Sequence, residues 1–171
     1  MIEPRTERFM RLYSPVNDRF ERFCKARAFG EVDFKDLMHD TLIVAFEKLD
    51  QLKSEQAFLH FLFGSAVRIM ANSAKKRKPL LSESIAKFES IQNTEQAAER
   101  QFEIENLYTQ LAKLDEVTRD SIILFEISGF SVKEIMDIQQ SGESAVKQRL
   151  RRGRAQLFEL LKSSEKIGTT R

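Results

Sequence analysis

The residues from Ser128 to Leu161, SGFSVKEIMDIQQSGESAVKQRLRRGRAQLFELL, limit what this chain can fold into more than any other stretch. Ser131 and Glu134 make the S-x-x-E pattern, in which each side chain satisfies a backbone N–H left unpaired at a helix start. Val132, Ile135, Met136 and Ile138 supply one short apolar face behind that start. A turn is expected around Gln140 to Gly142. A second helix then begins near Ser144 and buries Val146, Leu150, Gly153 and Leu157, spaced i, i+4, i+7 and i+11. Its opposite side carries Ser144, Gln148, Arg151 and Arg152, with Lys147, Arg149 and Arg154 on the flanks. No carboxylate interrupts the run between Glu143 and Glu159. A short capped helix, a turn, and a helix with an apolar seam and uncompensated cations is the build of a helix-turn-helix. Such a helix fits the major groove and neutralises phosphates. The same cations also suit a solvated face, a membrane surface or a calmodulin-like partner. The capped helix upstream favours DNA, because a membrane-surface helix needs no such companion.

Breakers are scarce: three prolines and six glycines in 171 residues, with 42% hydrophobic content, predict an all-α chain that can bury a core. The fourteen phenylalanines, in a chain without tryptophan, fall mostly at helical spacing and read as core. Net charge is only +2, but its distribution is uneven. Cations gather at Lys75-Lys76-Arg77-Lys78 and from Lys147 to Arg154. Glu83, Glu89, Glu95, Glu99, Glu103 and Glu105 make an acidic middle, which suggests two contact points on a polyanion. Cys24 is the only cysteine, sits beside Phe20 and Phe23, and reads as a small buried residue in a reducing, cytoplasmic setting. The N-terminus is too charged for a signal peptide, and no apolar run reaches membrane-spanning length.

Along the chain, Arg5 to Phe29 reads as one helix or two, with a break near Pro15 and Asn17, and Gly30 ends it. Asp33 is a candidate N-cap for the clearest helix, whose apolar points are Phe34, Leu37, Met38, Thr41, Leu42, Ala45, Phe46 and Leu49. Residues 50–56 read as a polar loop with Ser54 as a cap for a helix from about Ala57 to Lys76. That helix lines its core side with Phe58, Phe61, Leu62, Ser65, Ala66, Ile69 and Met70, and carries a polar stripe of Arg68, Asn72 and Lys75. Residues 79–99 read as a linker, with a nascent helix near Ile85 to Ile91. A further helix is expected to bury Phe102, Ile104, Leu107, Leu111 and Leu114. Asp115 to Thr118 looks like another cap, and the tail from Lys162 is expected to be disordered. The organisation is two small helical domains, 1–78 and 100–171, joined by a flexible linker.

Enzyme chemistry finds no foothold. His39 and His60 belong to different helices and lack partners at metal-ligand spacing. No G-x-x-x-x-G-K, G-x-G-x-x-G or G-x-S-x-G occurs. We read a binding protein, with no cofactor and no metal expected.

Two blocks resemble a known family. DFKDLMHDTLIVAFEKLDQL, followed by FLHFLFGSAVRIMANSAKKRK, is similar to the promoter-melting domain of bacterial RNA polymerase sigma factors of the extracytoplasmic-function (ECF) group. Asp33, Asp36, Leu37, Asp40, Phe58, Leu62, Ala66 and the cluster Lys75 to Lys78 match that pattern. His39 replaces its Gln, Phe46 and Phe61 its tryptophans, Ser65 its Ile, Arg68 its Asn and Asn72 its Asp. The second block, LAKLDEVTRDSIILFEISGFSVKEIMDIQQSGESAVKQRLRRGRAQL, resembles the family's upstream-element-binding domain. Gly129, Ser131, Glu134, Ile135, Val146, Lys147, Arg149, Arg152 and Gly153 match it in register. Met136 stands for an Ala, Ala145 for a Thr and Gln140 for the turn glycine, with Gly142 nearby to relieve the turn.

The resemblance implies a transcription initiation factor. Asp36, Leu37, Asp40 and Glu47 would face RNA polymerase core, at the clamp of the largest subunit, and the flap of the second-largest would be a further contact. Lys53, Ser54, Arg68, Asn72, Lys75, Lys76 and Arg77 would act at the −10 element, where trapping a flipped base rewards strand opening. Ser144, Lys147, Gln148, Arg149, Arg151 and Arg152 would act at the −35 element. Promoter DNA, core polymerase and often an anti-sigma factor are the family's partners, met in the cytoplasm at the nucleoid without membrane insertion. A stand-alone helix-turn-helix regulator, which would dimerise and need no polymerase, is the alternative reading.

Overall fold

A computed structural model describes residues 3–76 and 95–168, and all of the described regular structure is helical. Helix α1, Arg5–Tyr13, runs into a 3-10 turn at Ser14–Val16, where Pro15 removes a backbone donor. Helix α2 follows at Asn17–Ala28, and Gly30 closes it at φ +74°. Asp33 caps α3, Phe34–Glu47, by accepting a hydrogen bond from the Lys35 N–H at 2.8 Å. Such a cap is worth roughly 1 kcal/mol. Helix α4 spans Ala57–Lys76, after a 3-10 turn at Leu49–Gln51. The second half of the chain holds α5, Glu95–Leu111; α6, Glu116–Ile122; α7, Val132–Gln139; and α8, Glu143–Gly168. Between α6 and α7 the chain widens into one π turn, Ile123–Ile127, where the Ser128 N–H reaches the Ile123 carbonyl at 2.9 Å.

Three expectations need correction. Residues 95–99, expected as the end of a linker, are the first turns of α5. Residues 162–168, expected as a loose tail, continue α8. Phe102 and Ile104, expected in the core, are 72% and 42% exposed. The buried points of α5 are Tyr108, Gln110 and Leu111 at its C-terminal end. A helical period shows which residues share a face, but not how far a neighbouring helix extends along it. Pro79, the expected helix near Ile85 to Ile91, and Arg77 and Lys78 lie outside the described residues.

The first module, α1 to α4, is built around rings. Phe20 and Phe23 each meet Phe63 at 5.2 Å between centroids, and Phe9 meets Phe58 at 5.7 Å and Phe46 at 5.4 Å, all edge-on. Such geometry sets the positive ring edge against the negative face. Cys24 lies fully buried among them, and burial pushes its thiol well above the ordinary range. The second module packs α8 against α6, with Ile122, Ile123, Leu124, Ile135, Ile138, Val146 and Leu150 buried. Gly153 is what allows that approach. A Cβ built there would lie 2.7 Å from Ile122 Cγ1 and 2.8 Å from Thr118 Cγ2. The glycine thus trades helix propensity for close packing.

The modules do not stand apart. Helix α7 packs on α4, and the π turn packs on α2. Phe130 sits edge-on to Phe63 at 4.8 Å, so one buried cluster runs through both halves. Phe63 and Gly64, on a side of α4 that the helical pattern assigned no packing role, are buried by this contact.

Candidate nucleic-acid interface

The helix-turn-helix is assembled as its residues dictate. Ser131 Oγ accepts from the Glu134 N–H at 3.2 Å, and the Glu134 carboxylate accepts from the Ser131 N–H at 2.8 Å. These bonds hold the Glu134 carboxyl below its usual range, chiefly through the Ser131 backbone bond. Helix α7 ends on Gln140 in the left-handed conformation, φ +50° and ψ +51°. Gln140 therefore makes the turn itself, and Gly142 is not at positive φ. The strain of a side chain there is of order 1 kcal/mol, and Gln140 offsets part of it by donating from Nε2 to the Asp137 carbonyl at 2.6 Å.

Helix α8 then presents one exposed face. Ser144, Lys147, Gln148, Arg151 and Arg152 are all exposed and follow i, i+3, i+4, i+7 and i+8. Among the described residues Arg151 and Arg152 have no carboxylate partner, whereas Lys147 pairs with Glu143 one turn back. Two cations of the run are tied to neighbouring elements. Arg149 donates from Nη1 to Gln139 Oε1 at 3.0 Å and to Ser141 Oγ at 2.8 Å. Gln139 in turn accepts from Ser121 Oγ and donates to the Val117 carbonyl. Arg149 is thus a strut that locks α8 to the end of α7 and to α6. Arg154 pairs with Glu126 of the π turn at 2.7 Å and lies over the Phe125 ring.

On the first module, α4 exposes Arg68, Asn72, Lys75 and Lys76 along one side. Arg68 touches Ser65 Oγ at 3.3 Å and is otherwise turned to solvent. Lys53 and Ser54 are exposed on the loop that precedes α4. Three arginines of α1 brace this loop. Arg5 donates to the Phe46 and Glu47 carbonyls at 2.7 Å, which caps the end of α3. Arg8 pairs with Asp50 and Glu55, and Arg11 binds Glu55 through both carboxylate oxygens. Nothing in the helical pattern linked these arginines to the loop.

Helix α3 exposes Asp36, Asp40 and Glu47, none of whose carboxylates pairs with a Lys or Arg among the described residues. Leu37 is corrected: at 2% exposure it belongs to the core. The α3 period already put it on the apolar side, so its side chain cannot meet a polymerase surface.

The family profile described as "Sigma-70, region 4" matches residues 104–157. The RNA polymerase sigma factor NccH of Alcaligenes xylosoxydans xylosoxydans is 30% identical over 149 residues, which span 82% of this chain and 80% of NccH. The RNA polymerase sigma factor CnrH of Cupriavidus metallidurans is 30% identical over 149 residues, 80% of this chain and 78% of CnrH. Among solved structures, CnrH in complex with the cytosolic domain of CnrY superposes with a TM-score of 0.69 at 23% identity, covering 91% of this chain and 88% of that one. The sigma factor RpoE of Bartonella quintana, in complex with the anti-sigma factor NepR, gives 0.68 at 24% identity, covering 90% and 96%. These two likenesses carry the fold alone.

Proposed function

The chain belongs to the bacterial RNA polymerase sigma factors of the ECF group, and on that premise we propose that it carries core polymerase to promoters with −35 and −10 elements and opens the strands there. The observation that carries this reading is the exposed face of α8, with Arg151 and Arg152 unpaired among the described residues behind a fully capped α7. Ser144, Lys147 and Gln148, at the N-terminal end of the recognition helix, read base edges of the −35 element. Arg151 and Arg152 contact phosphates and set the register of the helix on the duplex.

The first module, bounded by the described residues 3–76, handles polymerase and the −10 element. Asp36, Asp40 and Glu47 meet arginines of the clamp, where carboxylate geometry fixes orientation. Lys53 and Ser54 line the loop that holds an extruded base, and Arg68, Asn72, Lys75 and Lys76 follow the separated strand. Capture of the flipped base draws strand opening forward without a nucleotide cofactor. By analogy with the complexes of CnrH and RpoE, an anti-sigma partner belongs to this proposal. No helix among the described residues is long and apolar enough to cross a membrane.

Run-off transcription with purified core polymerase tests the reading. Addition of the chain should create new start sites, with permanganate-reactive thymines at the −10 element. Closed duplexes and unchanged transcription would refute it. Arg151→Ala should weaken binding to every promoter alike and lower the salt slope by about 1. An unchanged slope would remove Arg151 from the phosphate contacts. Asp36→Ala with Asp40→Ala should weaken holoenzyme assembly about tenfold or more, with helical content intact, since truncating charges in an interface acts on dissociation. Normal assembly by the double variant would move the polymerase contact off α3.

A further inference from the structure

The loop that precedes α4 is held at its ends by the core and in its middle by charge. Leu49 and Phe58, on either side of it, are buried. Between them Leu52 is half-buried, and Lys53, Ser54 and Gln56 are exposed. Backbone bonds secure the entry, where the Leu52 N–H reaches the Leu49 carbonyl at 3.3 Å, and the exit, where the Phe58 N–H reaches the Glu55 carbonyl at 3.0 Å. Apolar packing leaves the exposed part between them unheld.

The remaining ties come from α1. Arg5, Arg8 and Arg11 stand at i, i+3 and i+6, while Phe9 and Tyr13 turn another side of that helix into the core. Arg5 Nε and Arg8 Nη1 lie 3.4 and 3.6 Å from the Asp50 carboxylate. Arg8 Nε lies 3.5 Å from Glu55 Oε1. Arg11 donates to both oxygens of Glu55, at 2.7 and 3.0 Å, and to both oxygens of Glu3, at 2.9 and 3.0 Å. The bond from Arg11 holds the Glu55 carboxyl below its usual range. Lys53 and Ser54 thus sit between two carboxylates, Asp50 and Glu55, that are tied to one helix.

Isolated surface ion pairs contribute little to stability, because each side chain gives up rotamer freedom and water screens the attraction. A bidentate arginine–carboxylate pair within a network does something else: two parallel bonds fix direction as well as distance. What this network supplies is position. A loop that receives a base extruded from a duplex binds it more tightly when its shape is set beforehand, since no ordering is left to be done on binding. The three guanidiniums are themselves engaged by Asp50, Glu55, Glu3 and the carbonyls of Phe46 and Glu47, which suits bracing rather than phosphate contact.

We propose that Arg8 and Arg11, acting through Asp50 and Glu55, are positioning residues that hold Lys53 and Ser54 in the shape that captures the extruded −10 base. This rests on the sigma reading for the base itself.

Open-complex formation by the full chain with core polymerase tests the proposal. 2-Aminopurine placed in turn along the non-template −10 strand identifies the captured position by its rise in fluorescence. On that promoter Glu55→Gln should slow opening about fivefold, within the coupling that neighbours in one ion-pair network show. On the same promoter made abasic at the captured position, Glu55→Gln and wild type should open at equal rates, because no base is left for the loop to hold. Equal slowing on both templates would reduce Glu55 to a general structural role and overturn the proposal. Arg11→Lys keeps the charge without the fork and should fall between Glu55→Gln and wild type on the intact promoter. It supplies the comparison if Glu55→Gln loses helical content. Arg11→Ala should leave the salt slope of promoter binding unchanged; a fall of about 1 would make Arg11 a phosphate contact instead and overturn the brace.

A nitroxide on Lys53→Cys in the free chain, where buried Cys24 escapes labelling, reads the loop without polymerase. Its spectrum should be that of a restricted label, and Glu55→Gln should sharpen the lines. Unchanged lines would overturn the brace even where promoters open. A chain that opens no promoter would sink the sigma reading, and with it the captured base, while the lines would still decide whether α1 fixes the loop.

Discussion

Gly153→Leu should unfold the second module, at a cost above ~3 kcal/mol, and abolish binding to a −35 duplex while the first module stays folded. Even one methyl at this position would lie within 2.9 Å of three atoms of Thr118 and Ile122. Both neighbours are buried, and Ile122 is β-branched with little rotamer freedom to yield. Overpacking in a close-packed core costs ~1–3 kcal/mol and occasionally more. Leucine adds three further carbons where α6 and α8 touch. Gly153→Ala should show the same sign at smaller size, because ~1 kcal/mol of gained helix propensity offsets part of the clash. Thermal unfolding followed by circular dichroism, beside a duplex-binding titration, separates the two variants. A Gly153→Leu protein with wild-type melting and binding would mean that α6 and α8 do not pack as described.

Phe63→Ala should destabilise the chain by ~3–5 kcal/mol, the range for a large aromatic truncated in a core. It should also loosen the join between modules. Phe63 is fully buried and touches Phe20 and Phe23 on one side and Phe130 on the other. Phe58→Ala is the comparison. Phe58 is equally buried, but its ring contact is with Phe9 in the same module. Both variants should lower the denaturation midpoint, and Phe63→Ala alone should lower energy transfer between the modules under native conditions. Equal effects on transfer would assign the Phe63–Phe130 contact no part in closure.

The legible parts of this chain were those governed by neighbours within one turn. The caps at Asp33, Asp115 and Ser131 all accept the hydrogen bonds their positions imply. Burial of Val146, Leu150 and Gly153 follows from spacing alone, as does exposure of Ser144, Gln148, Arg151 and Arg152 on the opposite side. The cationic run read as uniformly free was not legible in the same way. Arg149 and Arg154 are engaged by Gln139, Ser141 and Glu126, partners that a helical wheel of α8 does not contain. Phe102 and Ile104 failed for the converse reason, since their half of α5 extends past the helices it would have packed on.

Local sequence decided most of the helical segments, the starts that carry a side-chain cap, and which face of the recognition helix carries charge. These depend on hydrogen bonds and side-chain directions that repeat every three to four residues. Tertiary structure alone decided which of those charges stay available and that the two modules close on each other. Arg27 meets Asp120 across 93 positions of chain. No periodicity in either segment encodes that meeting, because it exists only once α2, α4, α6 and α7 have been brought together by the packing of their apolar sides.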